Sequence, residues 1–110
     1  MKNTELQAIR KALFLDVREA VDHIKTIEER EMSVRAWQLW EKGDRPVPSD
    51  VHCEMQTLSQ IMLEMQHDGN DYIYYRTMDD YKTATGDDNT VTWRMMQAVS
   101  ASQMIDDDEF

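Results

Sequence analysis

The sequence predicts a mainly α-helical protein, in which an N-terminal unit of four to five short helices precedes a small α+β segment. Apolar residues recur at helical spacing through most of the first 66 residues. Only three Gly and two Pro occur in 110 residues, a composition that favours ordered helices. The turn "HDGND" separates the two parts, so we expect one unit in residues 1–66 and a second in residues 67–110.

Short apolar stripes predict the first two helices. Thr4 to Leu15 places Leu6 and Ile9 at helical spacing. Asp16 then begins the second helix, because its carboxylate can cap free backbone N–H groups and Glu19 three residues later completes a capping box. The apolar face of the second helix consists of Val17, Ala20, Val21 and Ile24.

The third helix is predicted to begin at the N-cap Ser33 and to run to about Lys42, where Gly43 tolerates a left-handed ending. Before it, "KTIEEREM" (25–32) either extends the second helix or forms a solvated loop, and we favour an extension followed by a turn. Trp37 and Trp40 share one helical face. We expect both indoles in the core, because a stacking platform needs exposed rings with interleaved basic residues. The predicted core residues of the N-terminal unit are Leu6, Ile9, Ala20, Ile24, Trp37 and Trp40.

The remaining elements follow from composition and spacing. A fourth helix begins near Pro48 or Ser49, and "YIYYRT" (72–77) is typical of a strand. Residues 78–85 fit a short helix, residues 92–105 fit a last helix, and "DDDEF" is expected to be a solvated tail. The fourth helix carries a heptad-like packing stripe of Val51, Met55, Leu58, Met62 and Met65.

Charge is distributed unevenly along the chain, whose net charge is −10. Residues 1–66 hold nine Lys and Arg and twelve Asp and Glu, whereas residues 67–110 hold three and ten. The second segment therefore carries most of the repulsion towards nucleic acid, and the first can still present a locally basic face. With a polar N-terminus, no membrane-length apolar stretch and a single cysteine, we expect a cytoplasmic protein that does not contact membranes.

Nothing in the sequence indicates an enzyme, a metal, a cofactor or a small-molecule substrate. His52 and Cys53 are adjacent and would diverge on a helix, so they form no ligand pair. Cys53 is expected to be a small buried residue. The acidic pairs at 79–80 and 87–88 lie in polar segments and are expected to be solvated, since general acid–base catalysis needs a shielded pocket.

The third helix resembles the recognition helix of Xre/Cro-type helix-turn-helix domains. That family has a Ser cap, an apolar residue four on, a Trp seven on, an acidic residue eight on and a Gly ten on. The matching positions here are Ser33, Trp37, Trp40, Glu41 and Gly43. With "ELQAIRKALFLDVREAVDHI", "SVRAWQLWEKGDRPVPSDV" and the later Trp93, Gln97 and Val99, the chain is similar to the YdiL-like and anti-CRISPR-associated repressor family.

This resemblance implies a DNA-binding surface on the third helix. Its base-reading side chains would be Val34, Arg35, Gln38 and Leu39, with Arg35 suited to bidentate contact with guanine. Phosphate contacts would come from Lys42, Arg45, Arg18 and Lys11. The implied partner is double-stranded DNA with an inverted repeat, in the promoter of a small phage or mobile-element operon that the protein itself regulates. An acidic protein-interaction module that no longer binds DNA is the alternative.

Eight residues separate Ile24 from Ser33, and this linker is longer than the corresponding linker in the family that the chain resembles. If this linker projects towards the groove, its acidic side chains oppose phosphate; if it loops away, the reading face is unaffected. A small helix-turn-helix reads few base pairs, so we expect a homodimer on two half-sites. The dimerisation segment would be residues 67–110, with its interface on Tyr72, Tyr74, Trp93, Met96 and Val99, since these supply more apolar surface than a short segment can bury alone.

Overall fold

Six α-helices account for most of residues 2–107, the part of the chain that the computed structural model describes. They are α1 (Asn3–Ala12), α2 (Val17–Glu28), α3 (Val34–Lys42), α4 (Ser49–His67), α5 (Met78–Thr85) and α6 (Thr90–Asp107). No β-strand occurs within residues 2–107, so the mainly α prediction is confirmed and the α+β character of the second segment is wrong. The end of the predicted acidic tail, residues 108–110, lies outside the described residues.

The aromatic segment 71–77 is irregular, with a bend at residues 76–77, and forms no strand in the described part of the chain. Its backbone bonds to side chains of α6 instead. The carbonyl oxygen of Tyr75 accepts hydrogen bonds from Trp93 Nε1 at 2.8 Å and from Gln97 Nε2 at 2.9 Å. β-propensity describes a fit to a sheet surface, and here a helix takes the place of the neighbouring strand.

Helix α1 ends at Ala12, three residues before the predicted helix end at Leu15, and the turn to α2 follows. Phe14 adopts a left-handed conformation, with φ of 63°, and α1 cannot continue through it. The turn buries Leu13 and Leu15, whereas Phe14 between them is 41% exposed. The backbone N–H of Leu15 donates to the carbonyl oxygen of Arg10 at 3.1 Å, which closes the turn.

Local capping chemistry fixes the next two helices where the sequence predicts them. At α2 the N–H of Glu19 donates to Asp16 Oδ1 at 2.8 Å and the N–H of Asp16 donates to Glu19 Oε1 at 3.0 Å. At α3 the N–H of Ala36 donates to Ser33 Oγ at 3.0 Å. Gly43 ends α3 with φ of 88°, a conformation that glycine adopts without steric cost.

One hydrophobic core joins α1, α2, α3, α4 and α6. The stripe on α4 points into it, with Met65 only half-buried. The core does not stop at the predicted boundary near His67, because α6 packs against both α2 and α4. The residues that α6 buries in this core are Val91, Met95, Ala98 and Val99. The reading and dimerising roles assigned to residues 1–66 and 67–110 stay a prediction.

Candidate nucleic-acid interface

Helix α3 has a buried face and an accessible face. Trp37 and Trp40 are buried, with ring centroids 5.8 Å apart and planes tilted by 57°. Their indoles pack within the core and offer no stacking surface to a ligand. On the accessible side, Arg35 and Gln38 are exposed, whereas Val34 and Leu39 are half-buried. Of the predicted core residues, Leu6, Ala20 and Ile24 are likewise buried, and Ile9 is half-buried.

Arg10 of α1 and Glu41 of α3 form an ion pair that fixes the two helices against each other, and each side chain is about nine-tenths buried. Arg10 Nε donates to Glu41 Oε2 at 2.7 Å and Arg10 Nη2 donates to Glu41 Oε1 at 3.0 Å. The third guanidinium nitrogen, Nη1, donates to the carbonyl oxygen of Leu15 at 3.0 Å. Trp37 Nε1 donates to the same Glu41 carboxylate at 2.6 Å. Glu41 therefore joins α1, the α1–α2 turn and the indole of α3 in one network.

The net effect of this environment is to lower the pKa of Glu41. Burial raises the pKa, because it penalises the charged carboxylate. Hydrogen bonds from Arg10 and from Trp37, together with the positive charge of Arg10, outweigh burial and hold the pKa below its usual value of 4.5. The carboxylate is therefore charged at neutral pH, as the ion pair requires.

A hollow of about 340 Å³ opens where the first turn of α2 meets α3. Val17 at the start of α2 and Gln38 and Lys42 on α3 line it, together with Gln7 of α1 and Glu41. The positive end of α2 therefore lies beside the accessible face of α3. Helix N-termini attract anionic groups such as phosphate, so this arrangement favours an anion beside the predicted reading residue Gln38.

The four side chains predicted to contact phosphate, Lys11, Arg18, Lys42 and Arg45, are all exposed. Arg18 lies 3.7 Å from Asp22 in an exposed pair that contributes little to stability. Within residues 2–107, Lys11, Lys42 and Arg45 form no ion pair. Their charges are free to interact with an anionic partner.

Asn3 is a residue whose role the sequence did not reveal. Its side-chain amide donates to the carbonyl oxygen of Trp40 and, at 3.3 Å, to that of Arg45. It thereby holds the C-terminal end of α3 and the turn that carries Arg45. A single Asn near a chain start carries no local signal for such a contact 37 residues away.

The linker between Ile24 and Ser33 consists of a helical part and an irregular part. As predicted, α2 continues beyond Ile24, to Glu28, and residues 29–33 form the turn. Arg30 Nη1 pairs with Asp50 at 2.7 Å, which attaches the turn to the first turn of α4. The side chain of Glu31 is 96% exposed and lies two residues before the N-cap of α3.

The predicted dimer residues fall into two groups. Val99 and Trp93 are buried inside the subunit, so the interface prediction has to be corrected at these two positions. Tyr72 and Met96 are half-buried and Tyr74 is exposed. Other large apolar side chains are exposed in the same region of the chain, and the sequence did not single them out: Ile73, Met104 and Ile105. The N–H of Tyr72 donates to Gln103 Oε1 at 2.9 Å, which brings the aromatic segment 71–77 beside the end of α6.

The described residues offer few candidates for other kinds of functional site. Cys53 is exposed on α4, so the prediction that it is buried is wrong: its position turns away from the stripe that starts at Val51. His23 of α2 lies 3.3 Å from Glu54 of α4. Between residues 2 and 107 no three His, Cys, Asp or Glu side chains group as metal ligands do. None of the helices there combines the length and apolar character needed to cross a membrane.

Comparison with known proteins gives two matches over nearly the whole chain. The model of the Aca2/YdiL-like family matches residues 1–110. The Aca2 repressor of Pectobacterium phage ZF40 is 41% identical over an alignment of 110 positions, which spans 92% of this chain and 90% of that relative. The family match includes the accessible face of α3 and the aromatic segment 71–77.

Proposed function

The chain belongs to the Aca2/YdiL-like family, and on that basis we propose that it is a transcriptional repressor that binds an inverted repeat as a homodimer. The phage relative is a repressor, which supports the repressor role. The observation that carries the DNA-binding part is the accessible face of α3. It presents Arg35, Gln38 and Lys42 on a helix whose other face is locked into the core by two indoles and the Glu41 ion pair.

In the proposed complex, α3 of each subunit enters the major groove of one half-site. Arg35 donates two hydrogen bonds to guanine, and Gln38 pairs with adenine or contacts phosphate. Val34 and Leu39 offer apolar contact to thymine methyl groups. The cations Lys42, Arg45, Arg18 and Lys11 hold the phosphate backbone and set the register of the helix.

The proposed dimer uses the apolar surface near the end of α6. Ile73 is 63% exposed and Ile105 is 66% exposed, and both lie in the acidic second segment. A second copy would cover these side chains. One subunit measures 42 × 32 × 20 Å, so two side by side suit half-sites separated by one helical turn, about 34 Å. Occupancy of a promoter by such a dimer would block transcription of its own small phage or mobile-element operon.

Selection from random duplex DNA, followed by gel shift in a salt series, tests this function. The expected product is an inverted repeat. Arg35→Ala should weaken binding by about 1–3 kcal/mol per half-site and relax the preference at one base pair. Lys42→Ala should weaken binding to all sequences alike and reduce the salt slope by about one unit.

Matched controls come from exposed cations of the second segment. Arg76→Ala is the control for Arg35→Ala, and Lys82→Ala is the control for Lys42→Ala. Both control variants should bind DNA like the wild-type protein. Unchanged affinity and selectivity in Arg35→Ala would remove Arg35 from the reading face. Absence of binding to any DNA at about 100 μM protein and low salt would favour the acidic protein-interaction module instead.

A further inference from the structure

Arg94 of α6 forms contacts with two different parts of the molecule. Its Nε lies 2.9 Å from Glu19 Oε2 and 3.1 Å from Oε1. Its Nη1 donates to Gln97 Oε1 at 2.9 Å, and its Cζ lies 4.2 Å from the ring centroid of Trp93. The side chain is 27% exposed, so these contacts are partly shielded from solvent.

On one side, Arg94 contacts the first turn of α2. Glu19 Oε1, which accepts from Arg94, also accepts the N–H of Asp16 in the capping box. The guanidinium is thus bonded to the carboxylate that defines the start of α2. That start lines the same hollow as Gln38 and Lys42 on α3. The orientation of α6 is thereby coupled to the helix end beside the reading face.

On the other side, the residues that Arg94 contacts on α6 hold the aromatic segment 71–77. Gln97 is almost completely buried, and its Nε2 donates to the carbonyl oxygen of Tyr75. Trp93, on which the guanidinium stacks, donates to that same carbonyl oxygen. The segment it fixes carries Ile73 and Tyr74, part of the surface assigned above to the second copy.

We propose that Arg94 is a positioning residue that fixes the angle between the reading helix and the dimer surface, and so sets which half-site spacing the dimer accepts. This inference rests on the proposed function. Only a planar guanidinium can pair with Glu19, bond to Gln97 and stack on Trp93 at once; a lysine ammonium is a point charge without that geometry. Arg94 touches neither bases nor phosphates in this role, so its loss changes selectivity between spacings rather than reading of one half-site.

The test uses the full chain and duplexes built from the inverted repeat that wild-type protein selects. The central spacer is lengthened or shortened by one or two base pairs, and each base pair rotates one half-site by about 34° relative to the other. Wild-type protein should lose affinity by about tenfold or more for a one-base-pair change. Arg94→Gln should lose less than about threefold, while its affinity for an isolated half-site stays within about threefold of wild type.

Arg30→Gln is the matched control, because it removes another partly exposed ion pair between elements, with Asp50, and does not touch α6. It should keep the wild-type spacing profile. A general loss of stability would weaken all spacings in parallel, so the ratio between spacings separates positioning from folding. Arg94→Lys gives the same test if Arg94→Gln does not fold, with an intermediate profile expected.

The outcomes distinguish the two proposals. A wild-type spacing preference that both Arg94 variants retain overturns the role of Arg94 and leaves the repressor proposal intact. Failure of the wild-type protein to bind any of the duplexes overturns the repressor proposal and, with it, this inference. A flattened profile in Arg94→Gln with a wild-type profile in Arg30→Gln supports it.

Discussion

Glu41 links α3 to α1 and to the turn that follows α1. Its carboxylate satisfies the Arg10 guanidinium and the Trp37 indole, both of which are otherwise cut off from water. A buried guanidinium left without its carboxylate carries a large desolvation penalty. One ionised side chain therefore adds to the two buried indoles in holding α3 in place.

We expect Glu41→Gln to lower the free energy of unfolding by about 3–5 kcal/mol at neutral pH, because Arg10 loses its counter-charge. The pKa of Glu41 is depressed in the fold, so its contribution is fully present above the unfolded value of 4.5 and is lost as pH falls through the lower folded value. The difference between wild type and Glu41→Gln should therefore shrink with acidification. Denaturant unfolding from pH 7 to about pH 3 measures it.

The double variant Arg10→Met/Glu41→Gln is the control for the buried charge. It removes both ionic partners and should recover part of the lost stability. Equal unfolding free energies for wild type and Glu41→Gln at neutral pH would show that the ion pair does not hold α3.

At the scale of elements, local chemistry was readable from the sequence and distant pairing was not. Asp16, Ser33 and Gly43 act on backbone groups within a few residues, so their caps were predicted correctly. The partners Arg94 and Glu19 are 75 residues apart, and no local pattern joins them. The apolar stripe of α4 likewise predicted which face of that helix is buried, because apolar residues at helical spacing lie on one face.

The strand predicted at 72–77 failed for a related reason. Aromatic and β-branched residues indicate a segment that suits a sheet, but a strand also needs a neighbour. Here the side chains of Trp93 and Gln97 bond to the carbonyl oxygen of Tyr75 instead. The cap and the helical period predicted which face of α3 is accessible, and only the resemblance to Xre/Cro-type domains implied that this face reads DNA. The contacts that orient α3 could not be predicted from local patterns.

The α2–α3 turn gives a prediction at the same scale. Glu31 is almost completely exposed next to the N-terminus of α3, where it would oppose DNA phosphate. We expect Glu31→Gln to raise DNA affinity about three- to tenfold at low salt, with the gain shrinking as salt increases. Glu64→Gln, an exposed acid on α4, is the control. Equal effects of the two substitutions in gel shifts would mean that the turn is held away from the groove.

At the scale of the whole molecule, the second segment contributes to the shared core, so deleting it cannot test dimerisation separately from folding. Removing the second segment would take Val91, Met95, Ala98 and Val99 out of the core, so a chain ending at Met65 would lose stability as well as any interface. Point substitutions on the exposed apolar surface separate the two effects.

We expect light scattering of the wild-type chain at micromolar concentration to give twice the 13.0 kDa of one subunit. The double variant Ile73→Glu/Ile105→Glu should be monomeric with an unchanged helical circular dichroism spectrum, because both side chains are exposed in the subunit. Ile27→Glu, at a similarly exposed isoleucine of α2, should remain dimeric. A monomeric wild-type chain, or a dimeric double variant, would place the interface elsewhere or remove it.

The exposed thiol of Cys53 has a practical consequence. It is the only cysteine of the sequence, and it lies on the solvent side of a helix whose other side is anchored in the core. A nitroxide attached there would follow the rigid helical unit without any engineered substitution. In a twofold assembly, the two nitroxides give one interspin distance, and the breadth of its distribution records how widely the two subunits swing. Pulsed electron paramagnetic resonance with and without DNA would compare the two breadths and so measure how far the subunits are pre-organised for binding.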